Sequence, residues 1–316
     1  MCHIILQQKE RYIMNEILID EINQLKKERN AIILAHFYVE DEIQEIADYV
    51  GDSYYLSKVA VNCKEDTIVF AGVEFMGESA KLLNPEKTVL MPDKEADCPM
   101  AHMCDEYFIA RARKQYDDLA VVTYINSTAH LKTLSDVCVT SSNALKIVKK
   151  LPNKNILFIP DQNLGKYIAE LIPEKNFIFC NGYCPTHHQL TLQQLLDAKE
   201  AHPGAPVLIH PECRKELVEL SDYAGSTAGI INYAKESDAN EFIVVTEIGV
   251  LYQMKKNNPE KKFYIISDNQ ICPNMKKNSL EKIRDCLKYN LNEVTLSEDI
   301  MSKANKPLEM MHKLAG

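Results

Sequence analysis

The sequence contains no apolar run near the ~18 residues that would suggest a membrane span. Its first residues show no charged-then-apolar signal pattern with a small-residue cleavage site. These absences lead to the expectation of a soluble, cytoplasmic chain with no membrane partner. Positive balance is missing too. With 36 Lys and Arg against 45 Asp and Glu, the formal net charge is −9, which argues against nucleic acid as the main partner. A small anionic substrate stays open, because local donors outweigh a remote surface charge. No Cys-x-x-Cys pair occurs among the cysteines, so a zinc ribbon and a ferredoxin-type run are excluded.

What is present is a chain of 316 residues, 46% hydrophobic, long enough for two or three compact units. It carries ten cysteines, at 2, 63, 98, 104, 138, 180, 184, 213, 272 and 286. Without a secretion signal a disulfide framework is not expected, and most of them read as small buried apolar residues.

An internal repeat organises the chain. The triplet Pro-Glu-Lys begins at Pro85, Pro173 and Pro259, at intervals of 88 and 86 residues. The same register aligns Asp48, Asp136 and Asp222. Twelve residues before each Asp, an apolar run ends at His36, Tyr124 and His210. Two residues further on stand Tyr38, Asn126 and Glu212. Five residues after each Asp stands a hydroxyl, at Ser53, Ser141 and Thr227. Only three of the ten cysteines are followed by proline, Cys98, Cys184 and Cys272, and they alone keep the period.

Within each unit the pattern alternates. Strands are expected at 31–35, 119–125 and 206–209, then helices at 40–48, 129–135 and 213–221. After a short extended piece and a second helix near the hydroxyl, a strand follows (67–71, 155–160, 241–246). A third helix (75–83, 164–172, 249–257) and a last strand (88–92, 176–180, 262–266) close the unit. Such alternation implies parallel sheets with right-handed crossovers. The expected fold is α/β: three pseudo-threefold-related αβα lobes of Rossmann-like type around a central cavity. The expected division is an N-terminal extension at 1–13 and lobes at 14–100, 101–186 and 187–275. The segment 276–316 is expected to pack back on the first lobe.

Ligands collect at the C-terminal ends of parallel strands, where the aligned polar residues fall. Three thiolates meeting at one axis would hold a 4Fe–4S cluster with one iron open to substrate. Zinc on three cysteines is the competing reading, and ordinary core cysteines the bland one. The hydroxyls come in the stretches "DS", "TSSN" and "GSTAG", each before an expected helix. They read as anion-binding donors or as N-caps. His36 and His210 read as proton shuttles or, when charged, anion binders. Tyr38 and Tyr124 read as proton donors and Glu212 as a general base, each against a plain packing or surface role. His187, in "CPTHH", would neutralise an anion.

Several long stretches, among them "ILAHFYVEDEIQEIADYVGDSYYLS", "GYCPTHHQLT", "HPECRKELVELSDYAGSTAGIINYAKES" and "CPNMKKNSLEKI", resemble the quinolinate synthase family from about residue 30 to the C-terminus. The resemblance implies a three-lobed fold and condensation of iminoaspartate with dihydroxyacetone phosphate to quinolinate, in NAD biosynthesis. It implies a 4Fe–4S cluster on Cys98, Cys184 and Cys272. Its active-site motifs match His36, Tyr38, Ser53, Tyr124, Asn126, Ser141, His187, His210, Glu212, Ser226 and Thr227. It also implies a functional link to an aspartate oxidase or aspartate dehydrogenase as the source of iminoaspartate. The Cys-x-x-Cys-x-x-Cys run of some family members is absent around Cys272. A different 4Fe–4S hydro-lyase is the rival enzyme reading. A cluster-based sensor is the rival outside enzymes, but no basic patch or DNA-reading helix is visible to serve it.

Overall fold

A computed structural model describes the backbone of residues 2–316 and the side chains of residues 15–316. Met1 and the side chains of 2–14 lie outside the described set; the backbone of the expected extension at 1–13 runs, from residue 2, as the start of helix Cys2–Glu28. Twelve strands form three four-stranded sheets, every pairing between named strands parallel. The first lobe holds β1 (Ala31–His36), β2 (Tyr49–Gly51), β3 (Thr67–Ala71) and β4 (Thr88–Leu90) in the order β2-β1-β3-β4. The second holds β5 (Leu119–Tyr124), β6 (Val137–Val139), β7 (Asn155–Ile159) and β8 (Asn176–Phe179), ordered β6-β5-β7-β8. The third holds β9 (Val207–Ile209), β10 (Tyr223–Ala224), β11 (Glu241–Val245) and β12 (Lys262–Ile265), ordered β10-β9-β11-β12. β1, β3 and β5 are buried along their whole length, and β7 and β11 in all but their first residue, as expected of parallel strands covered by helices on both faces.

The repeated residues outside the strand ends have structural work. The Oδ2 atoms of Asp48, Asp136 and Asp222 accept from the backbone N–H of Ile33, Val121 and Val207 at 2.8, 2.7 and 2.8 Å. Their own N–H groups donate back to the carbonyls of the same three residues. This pins the first strand of each sheet to the piece beside it. The lysines of the Pro-Glu-Lys triplets reach the carbonyls that end the second helix of each lobe. Lys87 donates to Cys63 O at 2.5 Å, Lys175 to Leu151 O at 2.7 Å and Lys261 to Ser237 O at 2.6 Å. Cys63, Leu151 and Ser237 are the C-caps of helices Ser53–Asn62, Ala144–Lys150 and Thr227–Glu236.

Two helices are shorter than their patterns predict, at Ala129–Lys132 and Lys215–Val218. In the first, the hydroxyls of Thr133 and Ser135 take the carbonyls of His130 and Leu131, competing with the helical ladder. β4 stops at Leu90. Beyond it the N–H of Met91 donates to Asn292 O, and Leu90 pairs antiparallel with Glu293.

The lobes meet through equivalent positions. Phe75, Asn163 and Gly249 each stand at the start of the third helix of a lobe and touch the segment that follows the first strand of another lobe. Lys132 sits 5.7 Å over the Phe75 ring, Asn163 Nδ2 donates to Glu212 O at 2.9 Å, and Gln44 Nε2 donates to Gly249 O at 3.0 Å. Gly249 must be glycine, because a Cβ there would stand 2.6 Å from Phe37 O. The last helix, Glu298–Ala315, lies on helix Glu74–Leu83 of the first lobe and on Ala129–Lys132, β6 and Ala144–Lys150 of the second. Among the described residues no helix is long and apolar enough to cross a membrane.

Candidate active site

The C-terminal strand ends of all three sheets face one central cavity. Every residue proposed from the sequence lines it except Ser226. After each outer strand the chain turns in through a Cys-Pro pair. Cys98 precedes the 3-10 turn Pro99–His102, Cys184 the helical turn Pro185–His188, and Cys272-Pro273 the turn Met275–Lys277. Proline suits a first helical position because its φ is preset and it has no N–H to orphan. The backbone N–H groups of these turns face the sulfurs. Burial pushes all three thiols up, and the neighbouring thiols raise Cys98 and Cys184 further. Three anions here would therefore need positive charge among them.

A hydrogen-bonded chain crosses the cavity wall. Tyr124 OH donates to Glu212 Oε1 at 2.6 Å, and Glu212 Oε2 lies 2.8 Å from His187 Nδ1. His187 Nε2 meets Thr246 Oγ1 at 3.0 Å, Thr246 meets Tyr38 OH at 2.9 Å, and Tyr38 meets Thr227 Oγ1 at 2.8 Å. His187 Nδ1 also lies 3.2 Å from Cys184 Sγ. One path of polar hydrogens thus joins side chains of all three lobes. Burial opposes the charge on Glu212, but the His210 and His187 imidazoles beside it and the hydrogen bonds from His187 and Tyr124 outweigh it. The net direction is downward and the carboxylate is ionised. Burial, then the Glu212 charge, raises both phenols well above 10, so each keeps its proton until stronger charge develops beside it.

His36 and His210, read from the sequence as proton shuttles or, when charged, anion binders, are buried in the cavity wall. Burial lowers His36 to about 3 and His210 to about 4, so both are neutral near pH 7. Their geometry is matched across the repeat. His36 Nδ1 accepts from Tyr38 N at 3.2 Å and His210 Nδ1 from Glu212 N at 3.3 Å. That bond fixes the proton on Nε2. Each ring is a neutral Nε2–H donor.

The hydroxyl doublets divide their labour. In the first and third lobes the helix caps are Asp52 and Ser226, which accept from Tyr55 N at 2.9 Å and Gly229 N at 3.1 Å. Capping by the first member leaves Ser53 and Thr227 on the cavity. In the second lobe Asn143 accepts from Thr140 N at 2.7 Å, and Ser141 lines the cavity. Asn126 presents there with a buried Oδ1 that has no hydrogen-bond partner among the described residues, an acceptor left open for a ligand.

Two residues of consequence escaped the sequence reading, Thr246 and Glu247, both fully buried. They stand one and two residues past the end of β11, where the repeat offers Pro160 and Asp161, or Gly72 and Val73. Only Asp161 echoes Glu247 in residue type, and Thr246 has no echo.

Two groups bring three ligand atoms within 4.8 Å of one another, Cys184–His187–Glu212 in the cavity and Glu74–Asp97–His102 outside it. The first is a set that could hold a metal. The three repeated cysteines do not form such a group.

Fold and site together define a three-lobed α/β protein with a central cavity lined by three repeat-related thiols. Residues 20–313 match the family model described as Quinolinate synthetase A protein. The curated quinolinate synthase of Clostridioides difficile is 54% identical over 302 residues, 96% of this chain and 99% of that one. Those of Caldicellulosiruptor saccharolyticus and Fusobacterium nucleatum are each 52% identical, over 93% and 94% of this chain and 97% and 99% of their own length. The chain belongs to the quinolinate synthase family.

Proposed function

We propose that the chain condenses iminoaspartate with dihydroxyacetone phosphate, giving quinolinate, phosphate and two waters. One observation carries this reading. Three thiols from equivalent Cys-Pro turns share a cavity with the chain Tyr124–Glu212–His187–Thr246–Tyr38.

The donor set fits a 4Fe–4S cluster held by Cys98, Cys184 and Cys272. A lone zinc ion would need its sulfurs close together, at Zn–S distances of about 2.3 Å. The three cysteines do not together form a group whose ligand atoms lie within 4.8 Å of one another, so they suit a larger body. The backbone N–H groups at the turns favour sulfur as thiolate. When bound, such a cluster supplies Lewis acidity at the iron that lacks a cysteine.

The remaining work falls to side chains. Ser53, Ser141 and Thr227, with the Nε2–H groups of His36 and His210, present neutral donors to carboxylate and phosphate oxygens. Helices Ser53–Asn62 and Thr227–Glu236 add their N-terminal N–H groups. Asn126 offers its free Oδ1 to a substrate N–H or hydroxyl. Ser226 acts by capping its helix. Glu212 takes protons at its carboxylate during carbonyl isomerisation, imine formation and the dehydrations. Tyr124 and Tyr38 return protons to leaving hydroxyls, and His187 and Thr246 connect the two ends. The iminoaspartate would come from an aspartate oxidase or dehydrogenase.

The test is anaerobic purification, iron and sulfide analysis with visible and Mössbauer spectra, and mass detection of quinolinate from the two substrates. A 4Fe–4S spectrum with quinolinate formed supports the reading. A cluster without quinolinate leaves a different hydro-lyase, and no cluster after reconstitution overturns it.

A further inference from the structure

We infer that Glu247 is a positioning residue that fixes the Cys272 thiol and ties it to the loop bearing His36 and Tyr38. Glu247 is fully buried, yet it lines a cavity proposed to bind anions. A carboxylate there works against substrate unless it has another task. Its two oxygens define that task. Oε1 accepts from Cys272 N at 3.1 Å and lies 3.4 Å from Lys276 Nζ, while Oε2 accepts from Gly249 N at 2.7 Å. Gly249 in turn presents its carbonyl to Gln44 and packs its Cα against Phe37 O and Tyr38 Cα. One side chain therefore joins the third thiol to the seam between the third and first lobes. Lys276 balances its charge.

The repeat supports the assignment. The counterpart of Glu247 in the second lobe is Asp161, also fully buried, which caps helix Gln162–Glu170 through Leu164 N at 2.8 Å and faces the backbone N–H of Cys184. The first-lobe counterpart is Val73, and there the N–H of Cys98 donates instead to its neighbour Asp97 at 2.6 Å. Cys98 and Cys272 thus each donate their backbone N–H to a carboxylate, by different routes, and Cys184 has the Asp161 carboxyl nearby. Only Glu247 links its cysteine to another lobe through a second oxygen. A carboxylate accepts at both oxygens, whereas the amide of glutamine accepts at one and would set a donor against the other N–H.

The inference rests on the reading of Cys272 as a cluster ligand, but its test does not need the cluster. The metal-free full chain is alkylated with iodoacetamide, and the rates at Cys98, Cys184 and Cys272 are followed by peptide mass. Loss of a buried charge-assisted hydrogen bond should speed Cys272 in Glu247→Ala about tenfold or more, with Cys98 and Cys184 little changed. Glu247→Gln should give a smaller, still Cys272-selective increase. In reconstituted protein, chelator should remove iron from Glu247→Ala faster than from the parent. An unchanged Cys272 rate, or equal acceleration of all three thiols, overturns the assignment. If the alanine variant does not fold, the same two outcomes are read from Glu247→Gln. A parent chain that takes up no iron would sink the proposed function and leave the alkylation result to decide this one.

Discussion

The repeated residues form an outer set and an inner set. In the outer set, Asp48, Asp136 and Asp222 make one hydrogen bond three times, and Lys87, Lys175 and Lys261 make another. Chemistry and position are both kept. In the inner set, position is kept and chemistry is not. Tyr38, Asn126 and Glu212 stand at one equivalent place, as do Val73, Asp161 and Glu247. The outer set answers to a demand that every lobe shares, closing its own sheet and capping its own helix. The inner set answers to one cavity that needs a different group on each wall.

This contrast can be broken from either side. The largest effect should follow removal of an inner thiol: Cys184→Ala should abolish both iron binding and quinolinate formation, read by iron analysis and product mass. Next, Glu212→Gln should lower kcat by about 10²–10⁴-fold with iron content unchanged, and full retained turnover would remove Glu212 from the chemistry.

The neutral histidines give a stability effect. Their folded values, about 3 and about 4, lie below the ordinary 6.5. Above pH 6.5 both folded and unfolded chains hold them neutral, and the stability is complete. Below it the unfolded chain takes up protons first, so stability falls as pH drops toward those folded values. The loss should be about 1–2 kcal/mol per histidine between pH 7 and 5, seen as a falling urea midpoint of the metal-free protein. His36→Gln should flatten that slope.

In the outer set, Lys175→Met should cost about 1–3 kcal/mol in urea unfolding, leaving the carbonyls of Leu151 and Asn153 short of a donor. It should spare kcat, and a fall in kcat beyond the loss of folded protein would blur the division between the sets. The smallest effect sharpens the inner set. Thr246→Val, close in shape but without the hydroxyl, should slow kcat about tenfold. Thr246→Ser should restore it, and a valine variant of unchanged kcat would show that the link to Tyr38 carries no proton.

These two sets also explain what the sequence disclosed. Strand order and lobe number follow from a period that the outer set preserves, so the Asp and Lys positions made the fold readable. Position alone disclosed His36, Tyr124, His210 and the three Cys-Pro pairs. Thr246 stayed hidden because its counterparts, Pro160 and Gly72, carry no hydroxyl, and Glu247 because its carboxylate is echoed by Asp161 but not by Val73. The hydroxyl doublets were ambiguous for another reason. Which member caps the helix depends on backbone entry angle, so the sequence could not separate Ser226, a cap, from Thr227, on the cavity. The charge of the two histidines was likewise hidden, because burial sets it.

The covalent joining of the three lobes has a consequence for how such a site can arise. A ring of three identical chains would be obliged to place the same residue at every equivalent point around its axis. It would have three tyrosines or three glutamates, never one of each with an asparagine. Stringing the copies along one polypeptide frees each to mutate alone. The thiols could stay alike while Tyr38, Asn126 and Glu212 went separate ways. The cavity is symmetric where it grips and asymmetric where it reacts.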